Sequence, residues 1–476
     1  MPSLRLALLV LFVSPVLFAQ HPSERRFASR VSQPLLQRTV HTLVNFGNRM
    51  GGTKSGDRSA RFILQQFTSY GLEAAIVEDP EQLTFSHERW FLQVEQPKTL
   101  RSLFKNEWLA GFSPSVPNSR GKLVYLRTND SPDAGSFDSL VVLTDRHVNN
   151  DLYQEIVKAG AIAILTYAPA VPRKYTNWSL ISSLRPSRNN PIPVFHISYS
   201  NGVRLKGELE RGTPVVVSFM TKTVIAPGKP KTVIATLHGE SPEYYLVCAH
   251  GDSDSGGPGA DDNASGVAGV LEVARTLQSL VRDGVVPKPK KTIKFIIWGS
   301  EYASTIHYVK THADALERIL GVLNYDQIGT GATRDCLYFE SNDVPHNEPL
   351  LRTLNGIAEE YVGRPGFWKE ATTNPSQGGT DSYVFLPDFL DRLKLPAANI
   401  PSVTIYTAAW NDAKTIPQTD GWSSKAWKGH PDSVTIDYSL YYHSSLDIPR
   451  LTTDREPFNM VWAVKAVGIA LLRLAW

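Results

Sequence analysis

Residues 248–268, CAHGDSDSGGPGADDNASGVA, constrain this chain more than any other stretch. The apolar run Tyr244-Tyr245-Leu246-Val247 reads as a strand delivering His250 and Asp252. A Gly/Ser/Pro loop then carries Asp261 and Asp262 into a helix-like segment that continues through Glu272. An imidazole at a strand end and a carboxylate twelve positions later, on a loop long enough to fold back, can meet at one cation. Nitrogen and oxygen donors without a thiolate suit zinc at a catalytic rather than a structural site. The same residue types also close ordinary strand-to-helix turns, so His-x-Asp alone decides nothing and further donors must follow.

The surrounding pattern predicts the scaffold. Beyond residue 224, strands at 233–237 and 244–247, a helix at 265–281, a strand at 292–298, a helix at 311–319 and a strand at 321–325 alternate. That is the pattern of a three-layer α/β/α sandwich on a largely parallel mixed central sheet. Sites in such sheets gather beyond the carboxyl ends of the strands, and His250, Glu301 and Asp326 each follow an apolar run. Helices at 35–46 and 59–70 and a strand at 72–77 precede this region. Between 103 and 223 the texture changes to short strands at 121–127, 140–143 and 161–167 around one helix at 151–159, which predicts an inserted β-rich domain.

A length of 476 residues leaves room for two or three such units. The net charge of +3 gives no argument for nucleic acid or an anionic membrane as partner. Arg5, the apolar run 6–18 and Ala19 have the layout of a cleavable signal peptide, and the run falls short of the roughly 20 residues a spanning helix needs. The chain is therefore expected to be secreted or periplasmic, with no membrane span after removal of residues 1–19. The C-terminal stretch 461–476 is interrupted by Lys465 and Arg473. Cys248 and Cys336 allow one disulfide at most, and Asn177-Trp178-Ser179 fits a glycosylation acceptor.

His250-Gly251-Asp252-Ser253, followed by Gly259-Ala260-Asp261-Asp262-Asn263-Ala264-Ser265-Gly266, resembles the signature of the M28 family of zinc exopeptidases. The resemblance implies that His250 binds a zinc, that Asp252 orients it and that Asp262 bridges two zincs. Leu323-Asn324-Tyr325-Asp326-Gln327-Ile328-Gly329 is a second match and makes Asp326 the remaining ligand of the first metal. Tyr441-Tyr442-His443-Ser444-Ser445-Leu446-Asp447 is a third and gives His443 to the second. Residues 377–385 resemble the segment lining the substrate side in this family, which marks Asp381 and Tyr383 as pocket residues. Lys158-Ala159-Gly160-Ala161-Ile162-Ala163 is similar to part of a protease-associated (PA) domain. The implied organisation is a peptidase domain in two parts, 24–102 and 224–476, around a PA-like insert at 103–223.

One departure stands out. Where the family places two adjacent glutamates, this chain has Glu301 and Tyr302. In direct register Glu301 is the general base and the second metal has lost a carboxylate, because a phenol with a reference pKa of about 10 is a poor replacement. In a shifted register Glu301 is a ligand and Ser300 stands where the base belongs. The expected activity is that of an exported zinc-dependent aminopeptidase acting on peptides, with one firm zinc. A single-zinc acyltransferase of the glutaminyl cyclase kind and a catalytically impaired binding protein remain as alternatives.

Overall fold

The computed structural model describes residues 21–167, 182–253, 257–330, 337–341, 345–370, 380–396, 398–407 and 441–476. Residues 1–19, expected to be a signal peptide, Asn177, Cys336 and residues 377–379 lie outside these.

Three helices open the chain: α1 (Pro22–Arg30), α2 (Gln33–Asn45) and α3 (Lys54–Ser69). The Thr53 hydroxyl accepts the Gly56 N–H at 3.2 Å and so caps α3, while Gly71, at φ +85°, turns the chain into β1 (Glu73–Glu78). Next come β2 (Gln82–Gln96), β3 (Trp108–Leu109), β4 (Val116–Leu126), β5 (Val141–Thr144), α4 (Asn150–Lys158), β6 (Ala163–Thr166), β7 (Val194–His196), α5 (Tyr199–Glu210) and β8 (Val216–Gly228). The rest of the chain forms β9 (Lys231–Leu237), β10 (Ser241–His250), α6 (Gly266–Arg282), β11 (Lys291–Trp298), α7 (Ala303–Thr311), β12 (Ile319–Tyr325), β13 (Tyr338–Glu340), α8 (Glu348–Tyr361), α9 (Pro387–Arg392), β14 (Ser402–Tyr406) and α10 (Phe458–Leu474).

The first sheet has the order β1-β9-β11-β10-β12-β14-β13. Its inner strands β11, β10, β12 and β14 are parallel, and β9, β1 and β13 run antiparallel to their neighbours. Alternate side chains of β10 go to opposite layers, as strand geometry requires. Val247 and Ala249 pack with α1, α2, α3, α6, α8 and α10, whereas Leu246 and Cys248 face α7 and α9. This is the mixed three-layer sandwich the alternation predicts. Cys248 is a free, buried thiol whose Sγ contacts Asn324 Oδ1 at 3.4 Å.

α10 closes the thicker layer. Gly468 packs against the fully buried Phe27 of α1, and a Cβ on Gly468 would fall 1.8 Å from Phe27 Cζ. Gly468→Ala is therefore expected to destabilise the protein by about 1–3 kcal/mol despite alanine's better helix propensity, since overpacking outweighs that gain. A drop in the urea unfolding midpoint with an unchanged m-value would show it. No helix among the described residues is long and apolar enough to cross a membrane.

A second sheet, β2-β8-β4-β5-β6-β7-β3, has its own core around Val141, Val142, Leu143, Ile164, Leu165 and Phe195, with Ile156 of α4 and Leu205 of α5 packed on it. β2, which lies before residue 103, pairs antiparallel with β8 along most of its length. α7 also differs from expectation. The helix predicted at 311–319 ends where it was expected to begin, and residues 313–318 form only a short tight helix. Tyr302, at φ +54°, starts a helix immediately after Glu301, and Ser304 and Thr305 occupy buried positions on it, which hides its apolar periodicity.

Candidate metal centre

The parallel strands place their carboxyl ends on one edge. His250 terminates β10 beside Trp298 of β11, Glu301 follows β11 by one short turn, and Asp326 is the residue after β12. His250 Nε2 stands 3.3 Å from Asp262 Oδ1 and 3.8 Å from Asp326 Oδ1, and its Nδ1 stands 3.2 Å from Asp252 Oδ1. All three rings and carboxyls of the inner set, His250, Asp262 and Asp326, are buried. Donor atoms of His250, Glu301 and Asp326 lie within 4.8 Å of one another. The opposite oxygen of Asp262, Oδ2, is 3.0 Å from His443 Nε2, so the two oxygens of this one carboxylate face two different imidazoles.

Neighbouring groups hold the donors in place. Asp252 Oδ1 also accepts the Glu301 N–H at 3.1 Å, which ties the imidazole to the Glu301 turn. Asn263 joins the Asp262 loop to the end of β12: its Nδ2 donates to Tyr325 O and its Oδ1 accepts from Gly266 N and Gln327 N. Asp261 points elsewhere, accepting from Gly329 N and the Thr330 hydroxyl, so of the adjacent pair only Asp262 faces the histidines. Asp447, fully buried, accepts the N–H groups of Asp261 at 2.8 Å and Asp262 at 3.0 Å. Because it lies four residues after His443, it fastens that segment to the bridging carboxylate.

The charge balance is that of a site suited to a cation. Burial lowers the His250 pKa, but the facing carboxylates of Asp252, Asp262 and Asp326 and the nearby Glu301 outweigh it and hold the ring well above the usual imidazole range. Burial pushes Glu301 well above the usual carboxyl range; His250 opposes this, and Asp381, Asp326 and Asp262 add to it. Asp326 Oδ1, the atom facing His250, is buried without a hydrogen-bond partner among the described residues. Two donors each about 2.0–2.2 Å from a tetrahedral zinc would stand about 3.3–3.6 Å apart; the 3.3 Å from His250 Nε2 to Asp262 falls in that range and the 3.8 Å to Asp326 is slightly wider. The donor set therefore fits a divalent metal, and His250, Asp262 and Asp326 would hold it, with Glu301 at its side.

Tyr302 is the residue after Glu301. Burial, Glu301 and Asp381 all push its phenol above the ordinary value, so it is neutral near pH 7. Its N–H donates to Asp381 Oδ1 at 3.0 Å, and the Thr305 hydroxyl donates to the same oxygen. Asp381 has no exposed surface and its carboxyl is pushed up to about 7 by burial, so it sits beneath the Glu301 turn rather than on an open wall; Tyr383, two residues on, is half-buried. The sequence reading gave no role to Arg49 or Asp447. Arg49 is read there only as part of the Arg-x-Gly-Gly turn with which M28 domains begin, and Asp447 only as the last residue of the His443 segment; the bonds that each makes to distant backbone set them apart.

The sandwich and its edge of buried histidine and carboxylates define a metallohydrolase type of centre. Residues 232–461, just under half of the chain, match the model of Peptidase family M28, which assigns that region to the family. The probable lipoprotein aminopeptidase LpqL of Mycobacterium tuberculosis is 29% identical over 402 residues, covering 80% of this chain and 74% of the relative. The aminopeptidase YwaD of Bacillus subtilis is 34% identical over 198 residues, covering 40% of this chain but only 37% of that protein. Among solved structures, a peptidase M28 precursor from Shewanella amazonensis superposes with a TM-score of 0.64 at 18% identity, covering 95% of this chain and 96% of that one. BSAP, a zinc aminopeptidase from Bacillus subtilis, superposes with a TM-score of 0.58 at 19% identity over 94% of this chain and 95% of its own.

Proposed function

We infer that the chain is a zinc-dependent exopeptidase that removes N-terminal residues from peptides, with His250, Asp262 and Asp326 holding the ion and Glu301 acting as general base. The observation that carries this reading is the convergence of Asp262 Oδ1 and Asp326 Oδ1 on His250 Nε2, with Glu301 on the same rim. Relatives named as aminopeptidases support the exopeptidase assignment. A zinc bound there supplies a Lewis acid for the scissile carbonyl and makes a neighbouring water easier to deprotonate. Glu301 takes the proton of the attacking water and delivers it to the departing amine; a base whose pKa lies near the working pH does both steps well. Asp252 holds the His250 ring in the orientation that keeps Nε2 toward the carboxylates. Asp262 Oδ2 and His443 offer two donors to a second ion, which the neutral Tyr302 leaves weakly held.

The second sheet and its helices serve as an insert walling the cleft. Ser445, two residues after His443, donates to Asn106 O of that lobe at 2.8 Å. Export through removal of residues 1–19 completes the reading.

Incubating the purified protein with aminoacyl 4-nitroanilides and dipeptides, with and without chelator, tests it. Release of the N-terminal residue that stops on chelation and returns with zinc is expected. No chelator-sensitive release, together with well under one zinc per chain, would sink it.

A further inference from the structure

We propose that Arg49 is a positioning residue that sets how tightly this centre holds its ion, an inference that rests on the metal-site reading above. Arg49 follows α2 in sequence, yet its side chain is 1% exposed and reaches into the loop between His250 and Asp262. Nε donates to Gly251 O at 3.3 Å, one terminal nitrogen to Pro258 O at 2.8 Å and the other to Gly259 O at 2.7 Å. The Arg49 N–H donates to Ser253 Oγ at 3.0 Å, and that hydroxyl donates to Gly257 O at 2.9 Å. One residue thus binds both ends of the loop separating the imidazole from the bridging carboxylate.

The chemistry suits that task and little else. A guanidinium presents its donors in a rigid planar fork, which suits several carbonyls at fixed directions; a lysine ammonium is a compact point charge on a flexible stem. Burying a cation costs several kcal/mol unless something offsets it. Among the described residues no carboxylate is in ion-pair contact with Arg49; burial lowers its pKa to about 10, and the field of Asp447, Asp252 and Asp262 offsets that burial in part. A loop needing only mechanical support would not call for a buried charge, whereas an acidic centre gains from one. The packing points the same way. Gly259 is at φ +57°, and a Cβ there would fall 2.5 Å from Asp262 O and 3.0 Å from an Arg49 nitrogen, so the loop lies directly on the guanidinium just ahead of Asp262.

Freeing this loop lets Asp262 drift from His250 while leaving every proposed ligand in the chain. Arg49→Lys is therefore expected to weaken zinc binding by about 10- to 100-fold, the range typical of losing a group that orients a metal ligand. Ser253→Ala, which removes one anchor and keeps the guanidinium, is expected to do the same more weakly. Competition against a chromophoric chelator measures affinity, and the visible absorption of the cobalt-substituted protein reports ligand geometry independently of turnover. Urea unfolding of the metal-free variants separates loss of fold from loss of affinity. Weaker binding and an altered cobalt spectrum in folded Arg49→Lys support the proposal; if that variant does not fold, the Ser253→Ala affinity decides. Wild-type affinity in the folded variants overturns it, even where the urea midpoint falls, and leaves the metal site itself standing. A wild-type protein that binds neither zinc nor cobalt overturns the metal-site reading and this inference with it.

Discussion

Glu301→Gln is expected to lower kcat by about 10²- to 10⁴-fold while zinc content stays at the wild-type level. The amide matches the carboxylate in size and leaves the Asp252 bond to the Glu301 backbone N–H untouched, so the turn after β11 should persist. What disappears is the ability to accept a proton. Burial and the neighbouring carboxylates already push Glu301 well above the ordinary carboxyl value, and His250 is the group that opposes them. A dication beside it acts in the same sense as His250, bringing the base toward the pH at which it can both take and return a proton. The wild-type rate should accordingly fall as pH drops and Glu301 protonates, and the variant should lose that acid limb. The same substitution separates the two registers left open by Tyr302. If Glu301 were a ligand rather than the base, its amide would cost zinc as well as rate, and metal analysis of the dialysed variant would show it.

How much of this could be read from the letters depends on the range of the forces involved. The strands carrying His250, Glu301 and Asp326 were legible because a parallel strand buried on both faces must be apolar there, and β10, β11 and β12 contain the apolar runs 244–249, 295–298 and 319–323. The side on which their ends gather then follows from the architecture. Less legible were elements whose burial is paid for by tertiary contacts. β2 reads QLTFSHERWFLQVEQ, with exposed Glu88 and Arg89 at its centre, and its length is apparent only beside β8. α7 turns Ser304 and Thr305 inward, where Asp79 and Asp381 bond their hydroxyls, so its inner face does not look apolar in the sequence.

The site divides along the same line. The facing of Asp262 toward both histidines is consistent with the role that resemblance gave it, while Asp261 beside it is committed to the 329–330 turn. Asp381 was placed at the substrate because it precedes an aromatic in a polar loop, yet it lies buried under Glu301. Nothing local could reveal that the N–H it accepts belongs to Tyr302, 79 positions earlier. The side chains of Arg49 and Asp447 bond to backbone groups about 200 residues away.

Asp262→Asn is expected to have the largest effect on the metal and a second, opposite-limbed effect on the metal-free protein. Zinc affinity should fall by more than about 100-fold, beyond the cost of losing an outer partner, because the amide contributes no charge between the two imidazoles. Without metal, the carboxylate is the counter-charge of His250 and His443: burial raises its pKa, but the bonds to those rings outweigh burial and hold it below the usual carboxylate range. Its contribution is therefore full above the unfolded value of about 3.9 and is lost as pH falls through the folded pKa. His250 has the reverse sign. Its folded pKa is raised, so its contribution is full below about 6.5 and is lost as pH rises through the folded value. The two conditions overlap between about pH 4 and 6.5, where breaking this buried pair should cost about 3 kcal/mol. Urea unfolding of the chelated wild type and variant from pH 3 to 9 should give curves that are farthest apart in that interval and converge on both sides. A constant offset across the whole range would mean that Asp262 holds the loop by shape alone, and that its charge, the property a metal would use, contributes nothing to the empty site.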